Sequence, residues 1–135
     1  MRKNKISLDK VQEAFNSAIK RRDMRCMIRD YEPCCGHLEA SHFFTVGSSP
    51  ALRFYPPNCY AQCQKHHFNH HNKEVPFYLN WIGQNHFMEW QLMESLRHRY
   101  IKYTDELKAE IIRLCNADKL DELKELIEEH LNANG

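Results

Sequence analysis

The chain has 135 residues, of which 42% are hydrophobic and 27% charged, a balance that is typical of a folded globular protein and excludes a disordered or membrane-embedded one. This length supports one hydrophobic core, so we expect a single domain over residues 1–135. No apolar run approaches the length of a membrane span, and the first residues lack the apolar stretch of a secretory signal. We therefore expect a cytoplasmic protein with no membrane partner.

The formal net charge of +1 conceals an uneven distribution of charge along the chain. Residues 1–30 carry nine Lys/Arg against four Asp/Glu, whereas residues 104–135 carry four against nine. Any contact with nucleic-acid phosphates must therefore come from local patches. The candidate DNA-binding patch is Lys20, Arg21, Arg22 and Arg25. The sequence equally allows these side chains to form a plain solvated face.

The first predicted element is a helix that begins after Ser7 and ends near Asp23, because apolar residues recur there at three- to four-residue spacing between charged ones. Over residues 25–63 the composition changes to Cys, Gly, Pro and aromatic residues, which is typical of short strands and long loops. We predict strands within residues 38–46 and 52–55, each about as long as a strand in a small sheet.

The rest of the chain has helical periodicity. The predicted helical segments are 64–72, 77–83, 85–100 and two amphipathic helices on either side of a break at 116–118. The last region begins at Thr104, which can cap a helix. The resulting parts of the domain are a basic N-terminal helix (1–24), a Cys/His-rich core (25–75) and a helical C-terminal region (76–135).

Five of the six cysteines share one stretch of the chain with six of the nine histidines. In a reducing compartment such clustering favours metal ligation over disulfides. The pair Cys63-x2-His66, preceded by Cys26 and by Cys35 or its neighbour Cys34, suggests a tetrahedral structural zinc site. The predicted ligand set is Cys26, Cys35, Cys63 and His66. The alternative is that these are ordinary buried thiols.

Three further histidines and an asparagine are candidates for catalysis. His67 and His71 share one helix face at i, i+4 spacing and could hold one divalent ion, although such pairs also occur on solvated faces. His42 lies on the first predicted strand, and Asn58 follows after a loop. An imidazole whose second nitrogen is held by an oxygen keeps one tautomer, as a general base near pH 7 requires. Together these features suggest the ββα-metal arrangement.

An ordered set of motifs over residues 15–100 makes the pattern more specific. In chain order the motifs are Arg22-Asp23, Cys26, Cys35-Gly36, Ser41-His42-Phe43, Leu52-Arg53-Phe54, Asn58, Gln62-Cys63-x2-His66, Asn72 and Tyr78. This set resembles the phage NinG/Rap family of recombination nucleases, which act on branched DNA. The chain departs from the family's pattern at Arg29, where a second knuckle cysteine is expected, and at His66-His67, where the family has Cys-Asn.

The resemblance implies an α+β fold with a ββα-metal (HNH-like) core, a structural Zn²⁺ and flanking helices. It also implies a metal-dependent endonuclease that hydrolyses phosphodiester bonds of branched DNA such as Holliday junctions and D-loops. In that function His42 is the general base, Asn58 orients it, and His67 with His71 holds a catalytic Mg²⁺ or Mn²⁺. Arg53 is a candidate phosphate clamp or, equally, a surface residue beside a strand.

Other functions stay open at this point. The chain could be a non-catalytic zinc-stabilised DNA-binding module, or its acidic C-terminal helices could dock a partner protein. A homodimer would suit symmetric cutting of two strands, but the sequence does not establish one. The expected location is the cytoplasm of a bacterial cell or phage-infected host.

Overall fold

The computed structural model describes residues 5–30, 33–72 and 77–133, apart from the side chains of residues 69, 71 and 72. Within these ranges the chain combines α-helices with one two-stranded sheet, which confirms the mixed α+β class. The elements in chain order are α1 (Leu8–Asp23), β1 (Leu38–His42), 3₁₀ helices Pro50–Leu52 and Pro56–Asn58, β2 (Cys59–Cys63), α2 (Gln64–Asn72), α3 (Phe77–Asn85), α4 (Phe87–Leu96), α5 (Asp105–Asn116) and α6 (Leu120–Ala133). None of the helices in the described ranges is long and apolar enough to cross a membrane.

Helix α1 begins and ends as predicted. Ser7 Oγ accepts a hydrogen bond from the backbone N–H of Lys10 at 3.2 Å. Met24 closes the helix in a left-handed conformation, with φ of 65°. The buried face consists of Val11, Phe15, Ala18 and Ile19. These are the residues whose spacing predicts the helix.

Strands β1 and β2 form an antiparallel hairpin with Leu38 opposite Cys63 and His42 opposite Cys59. Every residue of β2 is buried, and α1 packs against both strands. Helix α2 follows β2 without a connecting residue. The chain therefore has the order of two strands and a helix, while an HNH-like fold goes beyond what this order alone shows.

The prediction of a strand over residues 52–55 is wrong. Pro50 and Pro56 each open a 3₁₀ helix, because proline fixes φ near a helical value and has no N–H for a strand ladder. The backbone N–H of Tyr55 donates to Leu52 O at 3.2 Å, a turn bond between residues three apart. The segment therefore folds as a compact buried loop between the two strands.

The predicted break between the last two helices is present. Asp118 has φ of 57° and turns the chain between α5 and α6. Thr104 Oγ1 caps α5 by accepting a hydrogen bond from Leu107 N at 3.1 Å. The apolar faces of α5 and α6 join α1 and the 3₁₀ loop in the larger of two hydrophobic cores. The smaller core, which includes Cys26, Tyr60 and Trp81, lies beside the hairpin.

An ion pair at the end of α1 ties this helix to β2. Asp23 Oδ2 accepts hydrogen bonds from Ala61 N at 2.8 Å and from Arg22 Nη2 at 3.1 Å. Arg22 Nη2 also donates to Cys59 O at 2.7 Å, and the guanidinium lies 4.6 Å from the Tyr60 ring centroid. Burial disfavours the charge of Arg22, but the hydrogen-bonded Asp23 carboxylate outweighs it and raises the pKa of the guanidinium.

This pair predicts a large effect of Asp23→Ala. The substitution leaves a partly buried Arg22 without its carboxylate and Ala61 N without an acceptor, so we expect the free energy of unfolding to fall by about 2 to 4 kcal/mol. Urea denaturation followed by circular dichroism measures this change. Glu110→Ala is the control, because it removes an acidic partner from the exposed Arg113 on α5. Equal urea midpoints for both variants would contradict the prediction.

Candidate functional site

Four metal-ligating side chains from separate segments of the chain meet beside the hairpin. The ligand atoms of Cys26, Cys34, Cys63 and His66 all lie within 4.8 Å of one another. Cys26 follows α1, Cys34 precedes β1, Cys63 ends β2 and His66 lies in the first turn of α2. All but Cys34 are buried. This Cys₃His set could bind a structural metal such as zinc.

The distances within the cluster suit a tetrahedral ion. His66 Nδ1 lies 3.2 Å from Cys26 Sγ, 3.2 Å from Cys63 Sγ and 4.0 Å from Cys34 Sγ. Tetrahedral zinc with Zn–S bonds of about 2.3 Å and a Zn–N bond of about 2.05 Å places nitrogen about 3.5 Å from each sulfur. The observed distances bracket this value, so the position of His66 Nδ1 relative to the three sulfurs is compatible with a tetrahedral ion.

The structure corrects the predicted third sulfur ligand from Cys35 to Cys34. The Cys35 carbonyl accepts a hydrogen bond from Lys65 N at 3.1 Å, which ties its backbone to the start of α2. Cys34 and Cys35 are both exposed, so burial does not distinguish them. The Sγ atom of Cys34 belongs to the cluster, whereas that of Cys35 does not.

Gly36 allows the close approach of this segment to α2. Its φ is +90°, and a Cβ at this position would lie 2.6 Å from Gln64 Cβ. A second backbone bond, from Gln64 N to His37 O at 2.9 Å, holds the same contact. The motif Cys35-Gly36 is therefore the turn that delivers Cys34 to the cluster.

The three clustered thiols ionise unevenly. Desolvation and the neighbouring sulfurs raise the pKa of Cys34 to about 12, and burial also raises the pKa of Cys26. Burial opposes ionisation of Cys63 as well, but hydrogen bonds from the backbone N–H groups of His66 and Cys35 lower its pKa. Holding all three sulfurs as thiolates therefore needs the charge of a bound cation.

His42 ends β1 and is only 9% exposed. Its Nε2 lies 2.8 Å from Arg53 O. Because a carbonyl oxygen only accepts, Nε2 donates its proton there and Nδ1 is the acceptor nitrogen of the ring. The ring also stacks on Phe15 of α1, with 5.9 Å between centroids. The fold thus sets both the tautomer and the orientation of His42, as a general base requires.

Asn58 holds the backbone on both sides of this histidine. Its Oδ1 accepts from Phe44 N at 2.8 Å, and its Nδ2 donates to Phe44 O at 3.0 Å and to Leu52 O at 3.2 Å. The side chain is fully buried. Phe44 lies two residues after His42, and Leu52 adjoins the Arg53 carbonyl that His42 contacts. Asn58 therefore positions the loop that holds His42.

Glu39 is a candidate functional residue that sequence reasoning missed. Its Oε1 lies 2.8 Å from His67 Nδ1 and its Oε2 lies 2.9 Å from His37 Nε2. The hydrogen bond from His67 lowers the pKa of Glu39, and the hydrogen bond from His37 adds a smaller effect in the same direction. The ionised carboxylate makes Nδ1 of His67 a donor, so Nε2 is the unprotonated nitrogen of the neutral ring. Only the hairpin register could have revealed this pairing.

The other predicted ligand of the divalent ion, His71, has a side chain that lies outside the described residues. His70 lies on the same helix with Nε2 3.3 Å from Phe43 O and its ring stacked on Phe43 at 5.9 Å between centroids. Among the described residues, the Cys₃His set is the one group of three or more His, Cys, Asp or Glu with metal-binding geometry. Glu39 and His67 form a pair rather than a complete cage.

Most of the predicted DNA-binding arginines have partners within the fold. Arg21 Nε donates to Asp118 Oδ1 at 2.7 Å, and Arg22 belongs to the ion pair at the end of α1. Arg53 Nε donates to Gln12 Oε1 at 2.8 Å. Lys20 and Arg25 have exposed side chains. Two of the four patch residues, Arg21 and Arg22, therefore also have partners within the fold, while Lys20 and Arg25 are exposed.

The chain matches the family described as Bacteriophage Lambda NinG protein over residues 1–128. The chain belongs to the NinG family. This is a phage family associated with recombination. No curated protein and no solved structure matches the chain. The family match extends from α1 into α6, so it includes the Cys₃His cluster, the hairpin and most of the C-terminal helices.

The cluster predicts which cysteine of this NinG-family chain retains zinc. After expression with zinc and extensive dialysis, we expect about one zinc per wild-type chain and none in Cys34→Ala, because three donors do not close a structural site. Cys35→Ala is the matched control and should keep its zinc. Atomic emission spectroscopy measures the ratio of metal to protein. Loss of zinc in Cys35→Ala with retention in Cys34→Ala would reverse the assignment.

Proposed function

We propose that this NinG-family chain is a metal-dependent endonuclease that hydrolyses phosphodiester bonds of branched DNA. The observation that carries the proposal is the His42 ring, whose tautomer is set by a backbone carbonyl in a hairpin that leads directly into the His-rich helix α2. The family's association with recombination supports branched molecules, such as Holliday junctions and D-loops, as the substrate class.

His42 acts as the general base in this reaction. Its Nδ1 takes a proton from a water molecule as the water oxygen bonds to phosphorus, and the bond between phosphorus and the leaving 3′ oxygen breaks. Solvent returns a proton to the leaving oxygen, which gives a 3′-hydroxyl and a 5′-phosphate. The hydrogen bond from Nε2 to Arg53 O stabilises the imidazolium that forms.

Asn58 contributes to this step through the backbone. It fixes Phe44, just beyond His42, and Leu52, just before Arg53. These contacts hold the backbone at Phe44 next to the backbone at Leu52, so the Arg53 carbonyl stays within hydrogen-bonding distance of His42. Asn58 is thus a positioning residue.

His67 would hold a catalytic Mg²⁺ or Mn²⁺ through Nε2, because the hydrogen bond from Nδ1 to the Glu39 carboxylate fixes the tautomer of the ring. His71, one turn later on α2, is proposed as the second donor. When bound, the ion would neutralise charge that develops on the phosphate in the transition state. A pair of protein ligands leaves positions open for water and phosphate oxygens, which suits ions that keep part of their hydration shell.

The zinc cluster supports the orientation of His67. His66 belongs to the Cys₃His set, and its side chain direction fixes the rotation of α2 about its own axis. Successive helical residues differ by about 100° around the axis, so the direction of His67 follows from that of His66. A structural metal thereby positions a neighbouring residue that it does not itself contact.

The test of the proposal is cleavage by His42→Ala. We expect the wild-type chain to cut labelled four-way junctions and D-loops with Mg²⁺ or Mn²⁺, and we expect the substitution to lower the rate by about 100-fold or more, because it removes the base. His130→Ala, on α6, is the matched histidine control and should cut normally. Zinc content and circular dichroism establish that each variant is folded.

Two outcomes would contradict the proposal. Cleavage by His42→Ala at the wild-type rate would exclude His42 as the base. Binding of branched DNA without cleavage under either metal would instead favour a non-catalytic zinc-stabilised binding module.

For Glu39→Gln we predict a change in the metal concentration that cleavage requires. The amide no longer fixes the His67 tautomer, so we expect the Mn²⁺ concentration for half-maximal cleavage to rise by roughly 10- to 100-fold, with zinc content unchanged. Glu89→Gln is the matched control, since Glu89 faces His86 Nδ1 at 3.3 Å in a comparable pair on α4. An unchanged Mn²⁺ requirement in Glu39→Gln would exclude the role proposed for this carboxylate.

A further inference from the structure

A surface cleft of about 340 Å³ lies between the loop that follows β1 and the segment that follows α4, apart from the candidate functional site. The cleft is lined by Ser48, Pro50, Ala51, Arg97, His98, Arg99, Tyr100 and Ile101. None of the described residues that line it is acidic. Arg97, His98 and Arg99 thus line one concave surface. None of the three belongs to the predicted DNA-binding set.

Arg97 is held in a fixed orientation without a hydrogen-bonded carboxylate. Its guanidinium carbon lies 4.3 Å from the centroid of the Phe44 ring. The Glu94 carboxylate is 3.8 Å from Nη1, which is too long for a hydrogen bond. Arg97 Nε is buried and has no hydrogen-bond partner within the described part of the chain. Arg97 therefore differs from Arg21 and Arg22, whose charges are bonded to internal carboxylates.

Arg99 adds a second positive charge, and its contact on α6 is with a neutral amide. Its Nη1 donates to Asn132 Oδ1 at 3.0 Å, and a neutral amide leaves the charge of the guanidinium in place. The backbone on this side is ordered by hydrogen bonds from Arg97 N to Met93 O at 2.9 Å and from Arg99 N to Leu96 O at 3.0 Å. The two cations are thus carried by a preformed turn.

The opposite wall of the cleft is joined to the proposed catalytic loop. Tyr103 donates a hydrogen bond from its hydroxyl to Pro50 O at 2.7 Å and so holds the two walls together. Phe44, on which Arg97 stacks, is the residue that Asn58 holds two positions after His42. The cleft is therefore connected to the strand end that carries the proposed base through packed and hydrogen-bonded groups.

We propose that this cleft binds a backbone phosphate of the DNA strand on which the chain acts. The inference rests on the proposed function, because it names a substrate contact of the same enzyme. A phosphodiester has two charged oxygens that match the planar donor groups of arginine. Arg97 is preoriented on the Phe44 ring, and Arg99 adds charge at the same surface.

The salt dependence of DNA binding, measured for the double variant Arg97→Gln/Arg99→Gln, tests this contact. Binding of a labelled four-way junction is measured by fluorescence anisotropy over a series of KCl concentrations, with Ca²⁺ in place of Mg²⁺ and with His42→Ala in every chain. Loss of one phosphate contact should weaken binding roughly tenfold and reduce the slope of log affinity against log salt by about 1. Arg97→Lys/Arg99→Lys keeps the charge and should keep most of the slope.

Arg113→Gln on α5 is the matched control and should leave affinity and slope unchanged, because it removes an arginine outside the cleft. Unchanged affinity and slope in the double glutamine variant would overturn the phosphate contact alone if the wild-type chain, with His42 intact, cuts branched DNA. A changed slope, together with no cleavage by the wild-type chain under Mg²⁺ or Mn²⁺, would overturn the nuclease proposal and leave the contact standing. No binding of DNA by the wild-type chain would overturn both.

Discussion

The meeting of Cys26, Cys34, Cys63 and His66 is the constraint on which the arrangement of the polar core depends. The hairpin offers only two short strands, and such a hairpin is marginally stable by itself. Four ligands from separate segments join the end of α1, the loop before β1, the end of β2 and the start of α2. A cation bound there would stabilise a loop-rich region that has few backbone ladder bonds of its own.

The uneven charge along the sequence is explained by pairing within the molecule. The basic end of α1 meets the turn before the acidic α6, where Arg21 bonds Asp118 at 2.7 Å and also donates to Cys115 O. Arg22 turns to the other side and bonds Asp23 and the backbone of β2. Opposite charges from the two ends of the chain are therefore partly paired within the fold, so their clustering in the sequence does not by itself mark a nucleic-acid-binding surface.

Features set by local sequence could be predicted, and those set by contacts between distant segments could not. Helices α1 and α2 and the break before α6 follow from periodicity, caps and turn residues. The prediction of a strand over residues 52–55 is wrong because the apolar composition of this segment is typical of a strand, whereas the flanking prolines impose 3₁₀ turns. The sequence alone does not tell whether Cys34 or Cys35 faces the cluster, or that the Glu39 side chain faces α2. Such differences between neighbouring positions are fixed by tertiary packing.

Arg29 shows how the chain accommodates its departure from the usual knuckle. Where a second cysteine is expected, Arg29 Nη1 donates to Cys26 O at 3.2 Å, so this side chain braces the loop of the first ligand instead of supplying another. The missing sulfur comes from Cys34 across the Gly36 turn, which α2 itself holds through Gln64 and Lys65. The ligand set is therefore complete only where α2 packs on the hairpin. Because His67 follows His66 directly, the side chains that could hold a structural metal also fix the orientation of the proposed catalytic helix.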